Sequence, residues 1–100
     1  MWALRDHLQN MQVFPDQTVL GNFIDNHDNA RWLSYASNLA RYRSAIVLNL
    51  AMEGIPIIYY GTEQLFNGGN DPNNREPLWT SMDTTAPMYE YLALVNGLRK

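Results

Sequence analysis

At 100 residues, 46% of them hydrophobic and 17% charged, the chain has room for one modest core and lies far from the weakly hydrophobic, highly charged compositions that stay disordered. A formal net charge of −3, with seven Lys and Arg scattered along the sequence, gives no electrostatic grip on a phosphate backbone and argues against nucleic acid as a partner. Without cysteine, neither a disulfide framework nor a thiolate zinc site can be built from this stretch.

Residues 1–15 include Asp6, His7 and Gln9 and lack the basic start and apolar middle of a secretory leader, so Met1 is either a true start or an arbitrary one. Leu4, Leu8 and Met11 recur at near-helical spacing before the break at Phe14-Pro15-Asp16, which predicts a helix ending near Gln12. Residues 18–24 are short, β-branched and largely apolar, as expected of a strand covered on both faces. Over 38–53 the positions Leu39, Tyr42, Ile46 and Leu50 predict a helix, with Ser37 as N-cap and Gly54 then Pro56 as the stop. An apolar, β-rich run at 55–60 follows, closed by Gly61. Pro87 then marks the start of a last helix, carried by Met88, Tyr91, Leu92, Val95 and Leu98. The apolar runs at 45–48 and 55–58 are far shorter than the ~20 residues that span a bilayer, so no membrane segment is expected.

Strand, helix, strand implies a parallel βαβ unit. The connections leaving the two strands are long, 25–37 and 61–85, against about 2–6 residues for an ordinary βα loop. The helix-to-strand return is tight, with essentially Gly54 alone between Glu53 and Ile55. Loops leaving the C-terminal ends of parallel strands share one face, and in (β/α)₈ barrels that face holds the site.

The first long loop opens Asp25-Asn26-His27-Asp28-Asn29-Ala30-Arg31-Trp32. By composition alone it reads as a solvated turn whose Asp and Asn bond their own backbone. A calcium loop does not fit, because the alternating D-x-[DN]-x-[DN]-G pattern and its distant Glu are missing. Arg31 reads as a surface or loop charge, and Gly68-Gly69 as a turn.

Phe23-Ile24-Asp25-Asn26-His27-Asp28 resembles the F-x-x-x-H-D segment at the end of the seventh barrel strand in the α-amylase family of retaining glycoside hydrolases. Residues 54–63, Gly-Ile-Pro-Ile-Ile-Tyr-Tyr-Gly-Thr-Glu, resemble the same family's G-x-P-x-x-Y-x-G-x-E segment on the eighth strand. Residues 68–76, Gly-Gly-Asn-Asp-Pro-Asn-Asn-Arg-Glu, are similar to a loop of its fungal-type members. The two barrel segments in this order, one helix apart, are far more specific together than either alone.

The resemblance implies an α/β fold, the C-terminal βαβα portion of a TIM (β/α)₈ barrel with strands 7 and 8 and their flanking helices, so that residues 1–100 form part of one catalytic domain. It implies an endo-acting parent that cleaves α-1,4-glucans with retention, using two carboxylates ~5–5.5 Å apart. Those two lie upstream in the family, and only the third acid, Asp28, maps onto this chain, as the transition-state stabiliser. Asp28 would also disfavour ionisation of the acid/base by like-charge repulsion. His27 would bond the same sugar as Asp28, and Arg75 resembles a substrate-contacting arginine of fungal-type members. Asp71, four residues earlier, can both hold Arg75 and accept from a sugar hydroxyl, the alternative for that pair being an ion pair internal to the loop; no metal ligand is implied here. The family's calcium belongs to an inserted domain of the parent, outside this chain. An α-glucan partner, a monomeric parent and an extracellular location follow from the same likeness.

Glu63 reads as a buried carboxylate capping nearby amides. Trp32, Trp79, Tyr59 and Tyr60 have faces suited to sugar rings, although packing between elements accounts for most such aromatics. Two alternatives use the same motifs: a carbohydrate-binding barrel that has lost hydrolysis, and a relative that transfers or isomerises glucosyl units.

Overall fold

The computed structural model describes residues 2–99; Met1, whose status as a start the sequence left open, lies outside them, as does the side chain of Leu4. In chain order the elements are α1 (Trp2–Met11), β1 (Gly21–Asn22), a short α2 (Trp32–Tyr35), α3 (Leu39–Ala51), β2 (Ile55–Pro56), two 3₁₀ turns at Thr62–Gln64 and Leu78–Thr80, and α4 (Pro87–Arg99). α1 ends one residue from the expected position. α2 and the two 3₁₀ turns, all inside the long loops, were not expected.

β1 and β2 pair in parallel, Gly21 opposite Ile55 and Asn22 opposite Pro56, with α3 between them in sequence. Ile55 N donates to Leu20 O at 2.8 Å and Ile57 N to Asn22 O at 2.7 Å. The ladder is much shorter than the expected strands at 18–24 and 55–60. The expected cover on both faces is also absent: Ile24 packs on the core, but Val19, Phe23, Ile55 and Ile57 are exposed. Among the described residues the sheet has two strands, so no further strand extends the ladder and these apolar side chains stay about half or more exposed.

α3 buries Tyr42, Ile46, Asn49 and Leu50, spaced as one helical face requires. Its N-cap is Asn38, whose side chain accepts from Arg41 N at 3.0 Å, and not Ser37 as the sequence suggested; both residue types suit the position, and the helix begins one residue later than read. Gly54 closes the return to β2 at φ 109°, where a Cβ would stand 2.7 Å from Asn22 Nδ2, so only glycine fits there. With α3 ending at Ala51, the return spans 52–54.

α4 opens on Pro87, whose missing N–H costs nothing at a first helical position. It places Met88 against Tyr42, Ile46 and Leu50 to form the core, with Ile24, Trp32, Leu33, Leu65, Tyr91, Leu92 and Val95 packed around it. Each buried apolar side chain of this set contributes about 1.5–3 kcal/mol. Leu98, expected on the same face, is exposed. Arg99 donates to the carbonyls of Leu50 and Gly54 at the C-terminal end of α3, where a cation also meets the negative end of the helix dipole. The core thus backs the sheet from one side and leaves the C-terminal ends of β1 and β2 to the two long loops.

Candidate functional site

The chain leaves β1 through Phe23 and Ile24, and the two acidic residues of the turn then part company. Asp25 points inward and is buried: Oδ1 accepts from Trp32 N at 2.9 Å and Oδ2 from the Tyr42 hydroxyl at 3.2 Å. Burial, with the Asp25 carboxylate adding to it, holds the Tyr42 phenol above its ordinary range. Asp25 therefore ties the loop to α3. Asp28 points the other way, its side chain 70% exposed, with Oδ1 at 3.4 Å from His27 Nε2.

Between them Asn26 makes the Asx turn that composition suggested. Its Oδ1 accepts from Asp28 N at 3.1 Å and from Asn29 N at 2.9 Å. The turn is one half of the support for Asp28. The other half comes from the second long loop, 46 residues further on in the case of Asn74: its Nδ2 donates to His27 O at 2.9 Å and to Asn29 O at 2.8 Å, and the side chain is fully buried.

Arg31 is a correction to the sequence reading. Far from being a surface charge, it is completely buried. Nε bonds Glu76 Oε2 at 2.7 Å, Nη1 donates to Tyr60 O at 2.8 Å, and the guanidinium lies 4.4 Å from the centre of the Tyr59 ring. Glu76 Oε1 accepts from Gly68 N at 2.6 Å, and Gly68 O accepts from Arg31 N at 3.0 Å. A buried guanidinium is tolerated when its charge is paired; Glu76 supplies that pairing and Tyr60 O a second acceptor, while Nη2 meets no hydrogen-bond partner among the described residues. Partial burial acts to raise the Glu76 carboxyl, but the amides of Glu76 and Gly68 and the Arg31 guanidinium outweigh it and hold the group below the ordinary glutamate range.

Arg75 and Asp71 form an exposed pair, Nε to Oδ1 at 2.9 Å, and Arg75 Nη2 reaches His27 O at 3.4 Å. The four side chains singled out in the sequence, His27, Asp28, Asp71 and Arg75, therefore stand on one exposed surface, above the buried layer of Asn74, Arg31 and Glu76. That layer escaped the sequence reading. The only signal for it was the density of Asn, Gly and charge in both loops, which a solvated turn explains equally well.

Glu63 does not cap amides of the described residues; it is half-buried in the first 3₁₀ turn. Trp32 stacks on Tyr42 with ring centres 6.3 Å apart, and Tyr59 lies under Arg31, so both are packing residues. Trp79 is 80% exposed, and the Tyr60 ring packs edge-on against Tyr59 and Phe66. A concavity of about 590 Å³ is lined by His7, Phe23, Trp32, Leu48 and Met52 among others, and none of its lining residues carries a carboxylate, so it does not supply the carboxylate pair of glycoside hydrolysis. Among the described residues no three His, Asp or Glu side chains are grouped to hold a metal ion. No helix among them is long and apolar enough to cross a membrane.

The family profile described as the catalytic domain of alpha amylase matches residues 2–92. Alpha-amylase 1 of Lipomyces kononenkoae is 52% identical over 85 residues, which cover 84% of this chain and 14% of that protein. Alpha-amylase 2 of Schwanniomyces occidentalis is also 52% identical over 85 residues, covering 84% of this chain and 17% of that one. The chain thus spans about a sixth or less of the length of these relatives. Among solved structures, an alpha-amylase from Malbranchea cinnamomea superposes with a TM-score of 0.93 at 40% identity, over 99% of this chain and 22% of that one. The alpha-amylase of Geobacillus thermoleovorans, solved as a complex with acarbose, gives 0.79 at 36% identity over 96% and 22%.

Proposed function

Because the chain belongs to the α-amylase catalytic-domain family, we propose that it is part of a (β/α)₈ barrel that hydrolyses internal α-1,4 bonds of starch and glycogen with retention, and that β1 and β2 are the barrel's seventh and eighth strands. The observation that carries this reading is the shared exposed surface of His27, Asp28, Asp71 and Arg75, held over the C-terminal ends of two parallel strands. In a TIM barrel that end is where substrate binds.

Asp28 accepts hydroxyls of the sugar at the cleavage point, and its bonds strengthen as positive charge develops on the ring. His27 donates to the same sugar from beside it. Arg75, its Nε held by Asp71, presents a planar, pre-oriented guanidinium to a sugar further along the chain. The nucleophile and the acid/base come from segments of the barrel outside these residues, as does the calcium of the family, so that residues 1–100 make up one part of a single catalytic domain. A secreted, monomeric parent with α-glucan as its partner, and neither nucleic acid nor membrane, completes the proposal. That a relative binds acarbose supports a sugar-binding face.

The test is proton NMR of the full-length enzyme acting on a malto-oligosaccharide. Release of the α-anomer first, from internal bonds, is expected. The β-anomer first would overturn retention, and tight binding of the oligosaccharide without cleavage would favour the carbohydrate-binding alternative.

A further inference from the structure

Asn74 reads in the sequence as one polar residue among many in a loop rich in Gly and Asn, yet it is 0% exposed and reaches across to the turn that carries Asp28. The two peptide planes on either side of Asp28 are both gripped. The plane between His27 and Asp28 is held at its oxygen by Asn74 and at its N–H by Asn26; the plane between Asp28 and Asn29 is held at its N–H by Asn26. Asn74 then takes Asn29 O with its second hydrogen. Those planes set the backbone torsions of Asp28, and hence the direction in which its Cβ leaves the chain.

The chemistry of the position is narrow. One nitrogen must donate to two carbonyls from inside the protein, which a neutral carboxamide does and an Asp carboxylate cannot, having only acceptors. Serine would serve one carbonyl and leave the other unmet. Asn26 alone leaves both carbonyls unmet, and Arg75 touches His27 O only at 3.4 Å from an exposed side chain.

We propose that Asn74 is a positioning residue for Asp28: it never touches substrate, and it fixes the turn so that the carboxylate meets the sugar in the geometry of the transition state. This rests on the role given to Asp28 above. A misplacement of about 1 Å is enough to cost about 100-fold in rate.

The experiment is a double-mutant cycle in the full-length enzyme on an activated aryl maltoside, which keeps slow variants measurable. Asn74→Asp lowers kcat about 30- to 100-fold with KM within about twofold, and Asn74→Ser falls between it and wild type. In an Asp28→Asn background the same Asn74→Asp change costs less than about threefold, because the group it positions is gone. Equal losses in both backgrounds, or an effect on KM alone, would overturn the proposal. Should Asn74→Asp not fold, Asn74→Ser is carried through the same cycle and the same two outcomes decide. An inactive Asp28→Asn beside an unimpaired Asn74→Asp refutes the role of Asn74 alone, whereas an active Asp28→Asn refutes the reading of Asp28 itself.

Discussion

Glu76→Gln keeps the shape of the side chain and removes one charge and one acceptor. In the native arrangement Oε2 takes the Arg31 Nε–H at 2.7 Å and Oε1 takes the Gly68 N–H at 2.6 Å. Glutamine has one oxygen, so one of those donors must face an NH₂ group, and Arg31 remains buried with Tyr60 O and an aromatic face for company. A lost hydrogen bond to a charged group costs about 1.5–3 kcal/mol, and breaking a buried pair about 3–5 kcal/mol. The Glu76 side chain is 24% exposed, so water relieves part of the penalty and the lower part of that span, about 2–3 kcal/mol, is expected.

The same substitution has a pH signature. Glu76 in the folded protein lies below its ordinary value of 4.5. Its stabilisation is therefore complete above that value and is lost as the pH falls through the lower, folded one. Glutamine does not titrate, so the stability gap between wild type and Glu76→Gln, read by urea unfolding of the full-length protein, should be widest at neutral pH and narrow in acid. A gap under about 0.5 kcal/mol at neutral pH, within the range of an ordinary surface substitution, would show that the pair does not hold the loops together. A gap that widens on acidification would reverse the sign of the argument.

Arg75→Ala should reduce kcat/KM more on long glucans than on short ones, because a distant subsite contributes only when a sugar fills it; equal losses on both would make the Asp71–Arg75 pair structural. Asn38→Ala should destabilise by about 1 kcal/mol through loss of the α3 cap, measured by thermal unfolding. Residues 1–100 expressed alone should bind a hydrophobic dye, self-associate and release no reducing sugar from starch, since Val19, Phe23, Ile55 and Ile57 are uncovered and two strands leave open edges. A monomeric, cooperatively melting fragment with activity would contradict this.

What the sequence disclosed was what local chemistry controls. Helix spacing fixed the buried face of α3 through Tyr42, Ile46 and Leu50, Pro87 marked the start of α4, and strand-helix-strand order implied the parallel pairing that is observed. The Asx turn at Asn26 was legible for the same reason, being a contact over two and three residues. What stayed hidden depends on groups far apart in the chain. Arg31 resembles any loop cation until Glu76, 45 residues away, is brought to its Nε. Asn74 resembles any loop amide until its partners at His27 and Asn29 are known. Asp25 and Asp28, three residues apart in one polar turn, look alike in sequence; the Trp32 amide and the Tyr42 hydroxyl of α3 hold one inward, and the other is left to solvent. The extent of the strands failed for the opposite reason, because apolar, β-branched residues were read as ladder where only two pairs form.

Asp28→Asn in the full-length enzyme, assayed on soluble starch, bears on all of this at once. The substitution keeps the volume and the backbone contacts of the turn, so the melting temperature should be unchanged, while kcat should fall by about 1,000-fold or more and kcat/KM with it, as expected when a group acting in the transition state is removed. A variant that folds normally and keeps as much as about a tenth of wild-type turnover would contradict the assignment, since a loss that small is worth only about 1.4 kcal/mol of transition-state binding.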